Sequence, residues 1–238
     1  MIAPVIDLSH PGTGPALWHH AMRNMGPWIF DANRHRRLVV AAPHPDDETL
    51  GAGGIIAEAS RRGLPVVVVS LTDGEAATDE VGLGDRRHGE LLASLRCLAP
   101  PGVQRVVRCR LPDGGLSERR EELIAILRSE TDAGDLLLAP LYCDGHPDHD
   151  AVGTAALSLA AQPGIDVGFF PIWAWHWHDP SVSVVAAGGR RIELSPASSA
   201  AKARALACFV SQTCGADPVL PAHFLDRFGD SYEVVVQP

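Results

Sequence analysis

The 238-residue sequence lacks the features that mark membrane proteins, exported proteins and nucleic-acid-binding proteins. No apolar run approaches the roughly 20 residues that a membrane-spanning helix needs. Residues 1–30 contain no basic start followed by a continuous apolar stretch, so we predict no signal peptide. The formal net charge of −9 argues against nonspecific nucleic-acid binding, which depends on a cationic surface. We therefore expect a soluble protein that acts on a small molecule.

The cysteines give no sign of a disulfide framework. Their number is odd and no pair has C-x-x-C spacing; they are Cys97, Cys109, Cys143, Cys208 and Cys214. Structural disulfides belong to oxidising compartments, so a reduced, cytoplasmic location is expected.

Short apolar runs alternate with amphipathic segments through the first two thirds of the chain. The predicted strands cover residues 38–42, 66–71, 103–109 and 136–141, and the predicted helices cover residues 49–62, 85–98, 117–130 and 150–161. Alternation of this kind is typical of βαβ units with a mostly parallel sheet covered on both faces. The fold class is therefore α/β.

The pattern changes after Val167, in a decorated C-terminal third. Apolar runs at residues 182–187 and 190–194 flank Gly188 and Gly189, which predicts a β-hairpin. A helix over residues 196–210 and a strand over residues 232–236 are expected to follow. No long linker or repeat divides the sequence. We predict a single domain over residues 1–238, with residues 1–36 as an N-terminal extension packed on it.

Two motifs rich in histidine and carboxylate follow predicted strands. PHPDDE follows the first strand at residues 43–48, and HPDH follows the fourth at residues 146–149. Ligands of open α/β sheets bind outside the carboxyl ends of the strands, so the two motifs could face one crevice. There, His44, Asp47 and His149 would supply the three protein ligands of a catalytic zinc.

The other polar residues of the motifs suit proton chemistry. Asp46 could take a proton from a water activated by the metal, and His146 could protonate a leaving amine or stabilise an oxyanion. The alternative for either motif alone is a polar turn that caps a helix. Two such motifs at equivalent strand ends make that alternative the weaker one.

At these residues the chain resembles the LmbE-like, PIG-L superfamily of zinc N-deacetylases. That family carries an AHPDDE-type motif early and an HPDH-type motif later, and the resemblance extends over roughly residues 38–212. It implies a Rossmann-like three-layer sandwich, a zinc ion or another divalent metal such as Fe²⁺, and an N-acetylglucosaminyl or related amino-sugar substrate.

The resemblance also implies roles for single residues. It makes His44, Asp47 and His149 the metal ligands, Asp46 the general base and His146 the residue that assists the transition state. Asp148 would orient a neighbouring histidine from outside the ligand set.

Candidate substrate contacts are less well defined. Arg87 and Asp113 lie in segments that resemble family elements, and a solvated surface charge is the alternative for each. A segment at residues 171–178 departs from the family and holds three tryptophans. Aromatic rings can stack on sugar faces, which makes Trp175 a further candidate; packing beneath the predicted hairpin is the alternative.

The expected reaction is hydrolysis of an acetamide to an amine and acetate. An amidase acting on another acylated compound, such as a thiol-sugar conjugate, would use the same site. A noncatalytic ligand-binding domain on a Rossmann-like scaffold is the alternative of another class. A dinucleotide enzyme is disfavoured, because the first turn lacks G-x-G-x-x-G. The sequence leaves open whether the protein forms a homo-oligomer.

Overall fold

A seven-stranded sheet forms the centre of the molecule, with the strand order β3-β2-β1-β4-β5-β7-β6. A computed structural model of the protein describes residues 12–100, 105–215 and 218–238. The strands are β1 (Leu38–Ala42), β2 (Val66–Thr72), β3 (Arg105–Leu111), β4 (Leu136–Pro140), β5 (Asp166–Phe170), β6 (Gly189–Glu193) and β7 (Tyr232–Val236). Strands β1 to β5 pair in parallel, and β7 is antiparallel to both β5 and β6. The predicted α/β class with a mostly parallel sheet is confirmed.

Helices cover both faces of this sheet. They are α1 (Pro15–Ala21), α2 (Asp47–Arg61), α3 (Leu83–Leu98), α4 (Arg120–Glu130), α5 (Pro147–Ala160), α6 (Ala174–Trp177), α7 (Val184–Gly188), α8 (Pro196–Leu206), α9 (Val210–Thr213) and α10 (Ala222–Leu225). Short 3₁₀ turns occupy Met22–Asn24, Ala32–Arg34, Leu116–Glu118 and Asp226–Phe228. Helices α2, α3 and α8 contact one another, as do α4 and α5. The strands between these layers are apolar on both sides, and every residue of β1, β2 and β4 is buried.

The direction in which strands are added reverses between β1 and β4. The chain builds outward from β1 through β2 to β3 and then returns to place β4 on the other side of β1. Such a switch point opens a crevice at the carboxyl ends of the two strands. Gly153 lets α5 approach closely there, because a Cβ on this residue would lie 2.5 Å from the Cα of Tyr142.

The hairpin predicted around Gly188 and Gly189 is wrong. The tight turns of two-residue hairpins need positive φ, and neither glycine has it. Residues 184–188 form α7 instead, whose first turn is capped by the Ser183 side chain accepting from the Val185 N–H at 3.2 Å. Strand β6 pairs with β7, about forty residues further along the chain.

Other boundaries shift by a few residues. The first predicted helix begins at Asp47, so that a predicted metal ligand lies in its first turn. The predicted helix over 196–210 ends at Leu206, and α9 follows as a separate turn. Residues 103 and 104 of the third predicted strand lie outside the described residues.

The beginning of the described chain packs on the C-terminal third. Trp18 is buried, and its indole N–H donates to the Trp175 carbonyl at 2.8 Å. The single-domain organisation over residues 1–238 stays a prediction. Among the residues described, no helix has the length and apolar character to cross a membrane.

Candidate metal centre

Three imidazole rings meet where β1 and β4 end. His44 lies in the turn between β1 and α2, while His146 and His149 lie at the start of α5. The ring centroid of His146 is 5.0 Å from that of His44 and 4.8 Å from that of His149. The two motifs therefore share one crevice, as expected from their positions after adjacent strands.

One carboxylate oxygen faces two of these rings. Oδ2 of Asp47 lies 3.1 Å from His44 Nδ1 and 3.2 Å from His149 Nε2. The same oxygen accepts the backbone N–H of His44 at 2.9 Å, which fixes the carboxylate in place. Two nitrogens and one oxygen thus converge within 4.8 Å of one another, a donor set suited to a divalent metal ion.

The far side of His149 is held by a second carboxylate. Its Nδ1 lies 2.8 Å from Oδ2 of Asp144, so Nδ1–H donates outward and Nε2 points inward. Asp144 is itself fixed because it accepts the backbone N–H groups of residues 172, 173 and 174, each at 2.9 Å. Histidine ligands of metals commonly have this outer carboxylate.

His149 Nε2 provides the test of whether the site suits a cation. It is buried and makes no hydrogen bond to any of the described residues, although Asp47 Oδ2 is only 3.2 Å away. Burial opposes a charged ring, but the Asp47 and Asp144 carboxylates outweigh it and raise the pKa of His149 to about 9. The surroundings therefore favour positive charge between His149 and Asp47, which a divalent cation would provide.

His44 is oriented in the same manner. Its Nε2 lies 3.1 Å from Asp113 Oδ1 and 3.3 Å from Asp148 Oδ2, which leaves Nδ1 directed toward Asp47. Asp148 is anchored by the backbone N–H groups of Gly114 at 2.8 Å and Leu116 at 3.0 Å. A second group, formed by His44, His146 and Asp148, is equally compact. Since Asp148 is already bonded to two backbone N–H groups, the set with Asp47 fits a metal better.

Asp46 lies beside the predicted ligands but binds an arginine. Its Oδ2 accepts from Arg87 Nη2 at 2.9 Å, and Arg87 also donates to the carbonyls of Gly74 at 2.9 Å and Pro45 at 3.2 Å. Burial raises the pKa of Asp46 to about 7, against the opposing charge of Arg87. Its φ of 144° is rare for a residue other than glycine and indicates a backbone held by its surroundings.

The last carboxylate of the first motif supports this turn. Glu48 accepts the backbone N–H of Asp46 at 3.2 Å and is fully buried. Burial raises the pKa of Glu48 to about 8. Glu48 therefore stabilises the conformation of the turn between β1 and α2.

His146 presents one ring nitrogen to the crevice. Its Nδ1 accepts the backbone N–H of Asp148 at 3.1 Å, so the neutral ring carries its proton on Nε2. Burial, together with the nearby His149 and His44, lowers the pKa of His146 to about 3. The ring is therefore neutral at physiological pH and offers an N–H donor.

Of the three residues predicted to contact the substrate, only Asp113 contacts a predicted metal ligand. Asp113 lies at the site through its contact with His44, and the Glu75 carboxylate accepts its backbone N–H at 3.0 Å. Arg87 is only 4% exposed and contacts Asp46, not the surface. Trp175 packs edge-on against Trp18, with centroids 4.8 Å apart, and the structure does not bring it to the histidines.

Two residues at the site escaped the sequence reasoning. Asp144 lies two positions before His146, and the rule that metal-binding histidines need an outer carboxylate could have identified it. Trp173, and not Trp175, approaches the site, with its ring stacked on His146 at 6.0 Å. The tryptophan-rich composition of the segment was visible, but nothing in it distinguished one ring from another.

Comparison with known proteins agrees with this geometry. The family model PIG-L, described as GlcNAc-PI de-N-acetylase, matches residues 38–160. The chain therefore belongs to the PIG-L family, and the resemblance seen in the two motifs is confirmed.

Characterised relatives match part of the chain. A diacetylchitobiose deacetylase of Thermococcus kodakarensis is 33% identical over 146 residues, which are 56% of this chain and 54% of that protein. A 1D-myo-inositol 2-acetamido-2-deoxy-alpha-D-glucopyranoside deacetylase of Mycolicibacterium paratuberculosis is 34% identical over 142 residues, 48% of this chain and 47% of that protein. The chain thus spans about half the length of the curated relatives it matches.

A solved structure shares the fold over a longer stretch. The N,N'-diacetylchitobiose deacetylase from Pyrococcus horikoshii superposes with a TM-score of 0.60 at 22% identity, covering 86% of this chain and 87% of that one. At this identity the likeness establishes the fold alone, and it confirms the predicted Rossmann-like arrangement.

Proposed function

We propose that this protein is a metal-dependent hydrolase that removes an N-acetyl or related acyl group from an amino-sugar-containing substrate. One observation carries the proposal. His44 and His149 each pair an outer nitrogen with a carboxylate and direct the inner nitrogen toward Asp47. This arrangement suits a catalytic metal held by three protein side chains.

The ion would be held by His44, Asp47 and His149. Two imidazole nitrogens and one carboxylate oxygen suit Zn²⁺, and Fe²⁺ is compatible with the same donors. When bound, such an ion supplies Lewis acidity that polarises an amide carbonyl and makes water easier to deprotonate.

Asp46 is the proposed general base. It is adjacent in sequence to Asp47, yet its carboxylate bonds to Arg87 and is thus kept apart from the ligand set. A carboxyl with a pKa raised by burial to about 7 can both accept and release a proton near neutral pH. Asp46 takes a proton from the attacking water and then delivers it to the departing nitrogen.

His146 is the proposed partner of the developing oxyanion. The Asp148 N–H on its Nδ1 fixes the proton of the neutral ring on Nε2. A neutral imidazole with a low pKa donates a hydrogen bond without giving up its proton. The Nε2–H therefore stabilises negative charge on the former carbonyl oxygen as the tetrahedral intermediate forms.

The substrate class is proposed from the relatives. One of the relatives described above is named for diacetylchitobiose, and the other for a 2-acetamido-2-deoxy-glucopyranoside of myo-inositol. A crevice containing an acidic cluster and a neutral imidazole is compatible with an uncharged acetamide. We therefore assign an acetamido sugar as the group that binds beside Asp46 and His146.

Metal content and acetate release together test the proposal. The purified protein should hold about one metal ion per chain and release acetate from N-acetylglucosamine or diacetylchitobiose, with loss of activity after chelation. Asp46→Asn is the matched control, since it should keep the metal and lose turnover. Bound metal without acetate release from either sugar would move the substrate to another acyl class. A protein that binds neither Zn²⁺ nor Fe²⁺ after anaerobic reconstitution would refute the proposed function.

A further inference from the structure

A cavity outside the candidate metal centre opens between α2, α8 and β7. It contains about 300 Å³ of empty space, including its mouth, which is at the lower end of the range for small-molecule sites. Its apolar walls come from Leu50, Trp175, Phe228 and Val234, all of them buried. The histidines of the candidate metal centre do not line it. The cavity is therefore a separate place in which a small molecule can bind.

The carboxylate in the lining of this cavity is already engaged. Glu233 Oε1 accepts from Lys202 Nζ and from the Gly54 N–H, each at 2.7 Å, and Oε2 accepts the Ile55 N–H at 2.8 Å. The ammonium of Lys202 balances the negative charge of Glu233. This carboxylate therefore does not exclude an anion from the cavity.

The ammonium of Lys202 has one hydrogen-bond donor to spare. Its Nζ donates to Glu233 at 2.7 Å and to the Leu50 carbonyl at 2.8 Å, whereas an ammonium carries three N–H groups. Lys202 is only 3% exposed, and no third acceptor comes from the part of the chain that the structure describes. An acceptor on a ligand in the cavity would complete its hydrogen bonding.

Arg227 adds a positive charge that has no counter-ion. Its Nη2 donates to the Thr13 carbonyl, and the guanidinium forms no ion pair with a carboxylate of any described residue. Burial lowers the pKa of Arg227, and no neighbouring carboxylate raises it. A guanidinium nevertheless stays charged at neutral pH. Because charges removed from water are usually paired, the cavity favours an anion.

We propose that this cavity binds a small aliphatic carboxylate, with its oxygens bonded to Arg227 and Lys202 and its alkyl part packed against the apolar walls. The planar guanidinium matches a carboxylate through two parallel N–H···O bonds. Phe228 and Trp175 offer nothing to the outer oxygens of a phosphate, so the walls favour an alkyl group. The inference goes beyond the proposed function and does not depend on it.

Ligand-observed NMR titration with propionate, acetate, propionamide and phosphate tests this site. Propionate should bind about fourfold more tightly than acetate, because one more CH₂ is buried against the walls. Propionamide has the same shape without the charge, and phosphate has the charge without the alkyl group. Both should bind at least about tenfold more weakly than propionate.

Substitution of Arg227 locates the binding. Arg227→Gln should weaken the binding of propionate at least about tenfold, and Arg227→Lys, which keeps the charge but loses the paired donors, should have a smaller effect. Arg61→Gln is the matched control, because Arg61 is exposed at the end of α2 and does not line the cavity. Asp47→Ala removes a predicted metal ligand and should leave the binding of propionate unchanged.

The outcomes are distinct. Equal affinity for propionate in the wild type and in folded Arg227→Gln would overturn the site, as would equal affinity for propionamide. Binding that is lost in Asp47→Ala and retained in Arg227→Gln would place the carboxylate at the metal centre and overturn the site as well. Tighter binding of phosphate than of propionate would overturn the assigned class of ligand. Acetate release from sugars enters none of these measurements, so the proposed function is tested separately.

Discussion

Arg87 donates a hydrogen bond from Nη2 to Oδ2 of Asp46 at 2.9 Å, and both side chains are buried. The same guanidinium bonds the carbonyls of Gly74 and Pro45, so it connects the turn after β2 to the turn after β1. Three fixed contacts from one planar group hold the Asp46 carboxylate in a single orientation. A buried carboxylate that must gain and lose a proton thus has a permanent positive neighbour.

Replacing Arg87 by lysine should slow turnover without removing the metal. Lysine keeps the charge but cannot reach three acceptors in the same plane, so Asp46 loses its orientation, and we expect kcat to fall by roughly 100-fold. Loss of the fixed contact between the guanidinium and the Asp46 carboxylate also raises the pKa of Asp46. The base is then protonated over a wider range, and the acid limb of the pH–rate profile moves to higher pH. Arg86→Lys is the control, because the exposed Arg86 pairs with Glu80. An equal loss of kcat in both variants would contradict the role of Arg87 in orienting Asp46.

Asp46 and Asp47 are neighbours in sequence but should respond differently to substitution. Asp47 faces two imidazole nitrogens, so Asp47→Ala should abolish metal binding. Asp46→Asn should retain about one metal ion per chain while acetate release drops by at least about 100-fold. Elemental analysis of the two purified variants beside the wild type measures the difference. Equal metal loss in both would mean that Asp46 is a ligand.

The fold was predictable where local sequence decides it. Buried strands such as Val66–Thr72 are continuous apolar runs because both faces of the sheet are covered. The pairing of β6 with β7 was not predictable, since the partners lie about forty residues apart and no turn signal connects them. The pair Gly188–Gly189 suggested a hairpin, but Gly188 ends a helix and Gly189 begins a strand, both with negative φ.

The site residues that lie within the two motifs were predictable from the sequence. His44, Asp47 and His149 come together because β1 and β4 are adjacent. The βαβ pattern predicted that both motifs lie at the same edge of the sheet, but it did not predict the order of the strands. The partner of Arg87 depends on how α3 packs beside the first turn, which the sequence does not state. Trp175 and Trp173 are alike in sequence, and only the turn of α6 places Trp173 and Trp177 on the side of the histidines.

Asp144 offers a test of the support around the metal. Asp144→Asn keeps the size of the side chain but removes the charge that pairs with His149 Nδ1–H. We expect metal affinity to weaken by about 10- to 100-fold, as is typical when the outer partner of a histidine ligand is lost. Competition with a chromophoric chelator measures this change. Asp150→Asn serves as the control, because Asp150 accepts from the Gly145 N–H and not from a histidine. Unchanged metal affinity in Asp144→Asn would refute the role of Asp144 in supporting His149.

Lys202 and Glu233 form a buried ion pair that bonds to backbone groups in the middle of α2. Lys202 Nζ lies 2.7 Å from Glu233 Oε1 and donates to the Leu50 carbonyl at 2.8 Å, while Glu233 accepts the N–H groups of Gly54 at 2.7 Å and Ile55 at 2.8 Å. In an α-helix the Leu50 carbonyl is the acceptor for the Gly54 N–H. The ion pair therefore bonds to the donor and to the acceptor of the same helical turn, a few residues from Asp47.

This arrangement predicts strong coupling between Lys202 and Glu233. Lys202→Met should lower the free energy of unfolding by about 3–5 kcal/mol, because it leaves Glu233 buried without a counter-charge. Adding Glu233→Leu should recover part of that loss, since no buried charge then remains. Urea unfolding of the two single variants and the double variant gives the coupling energy. The control is Arg119→Met, which breaks the exposed pair with Glu122 and should change the free energy of unfolding by less than about 1 kcal/mol. If the changes in the free energy of unfolding at Lys202 and Glu233 are strictly additive, the pair does not act as a unit.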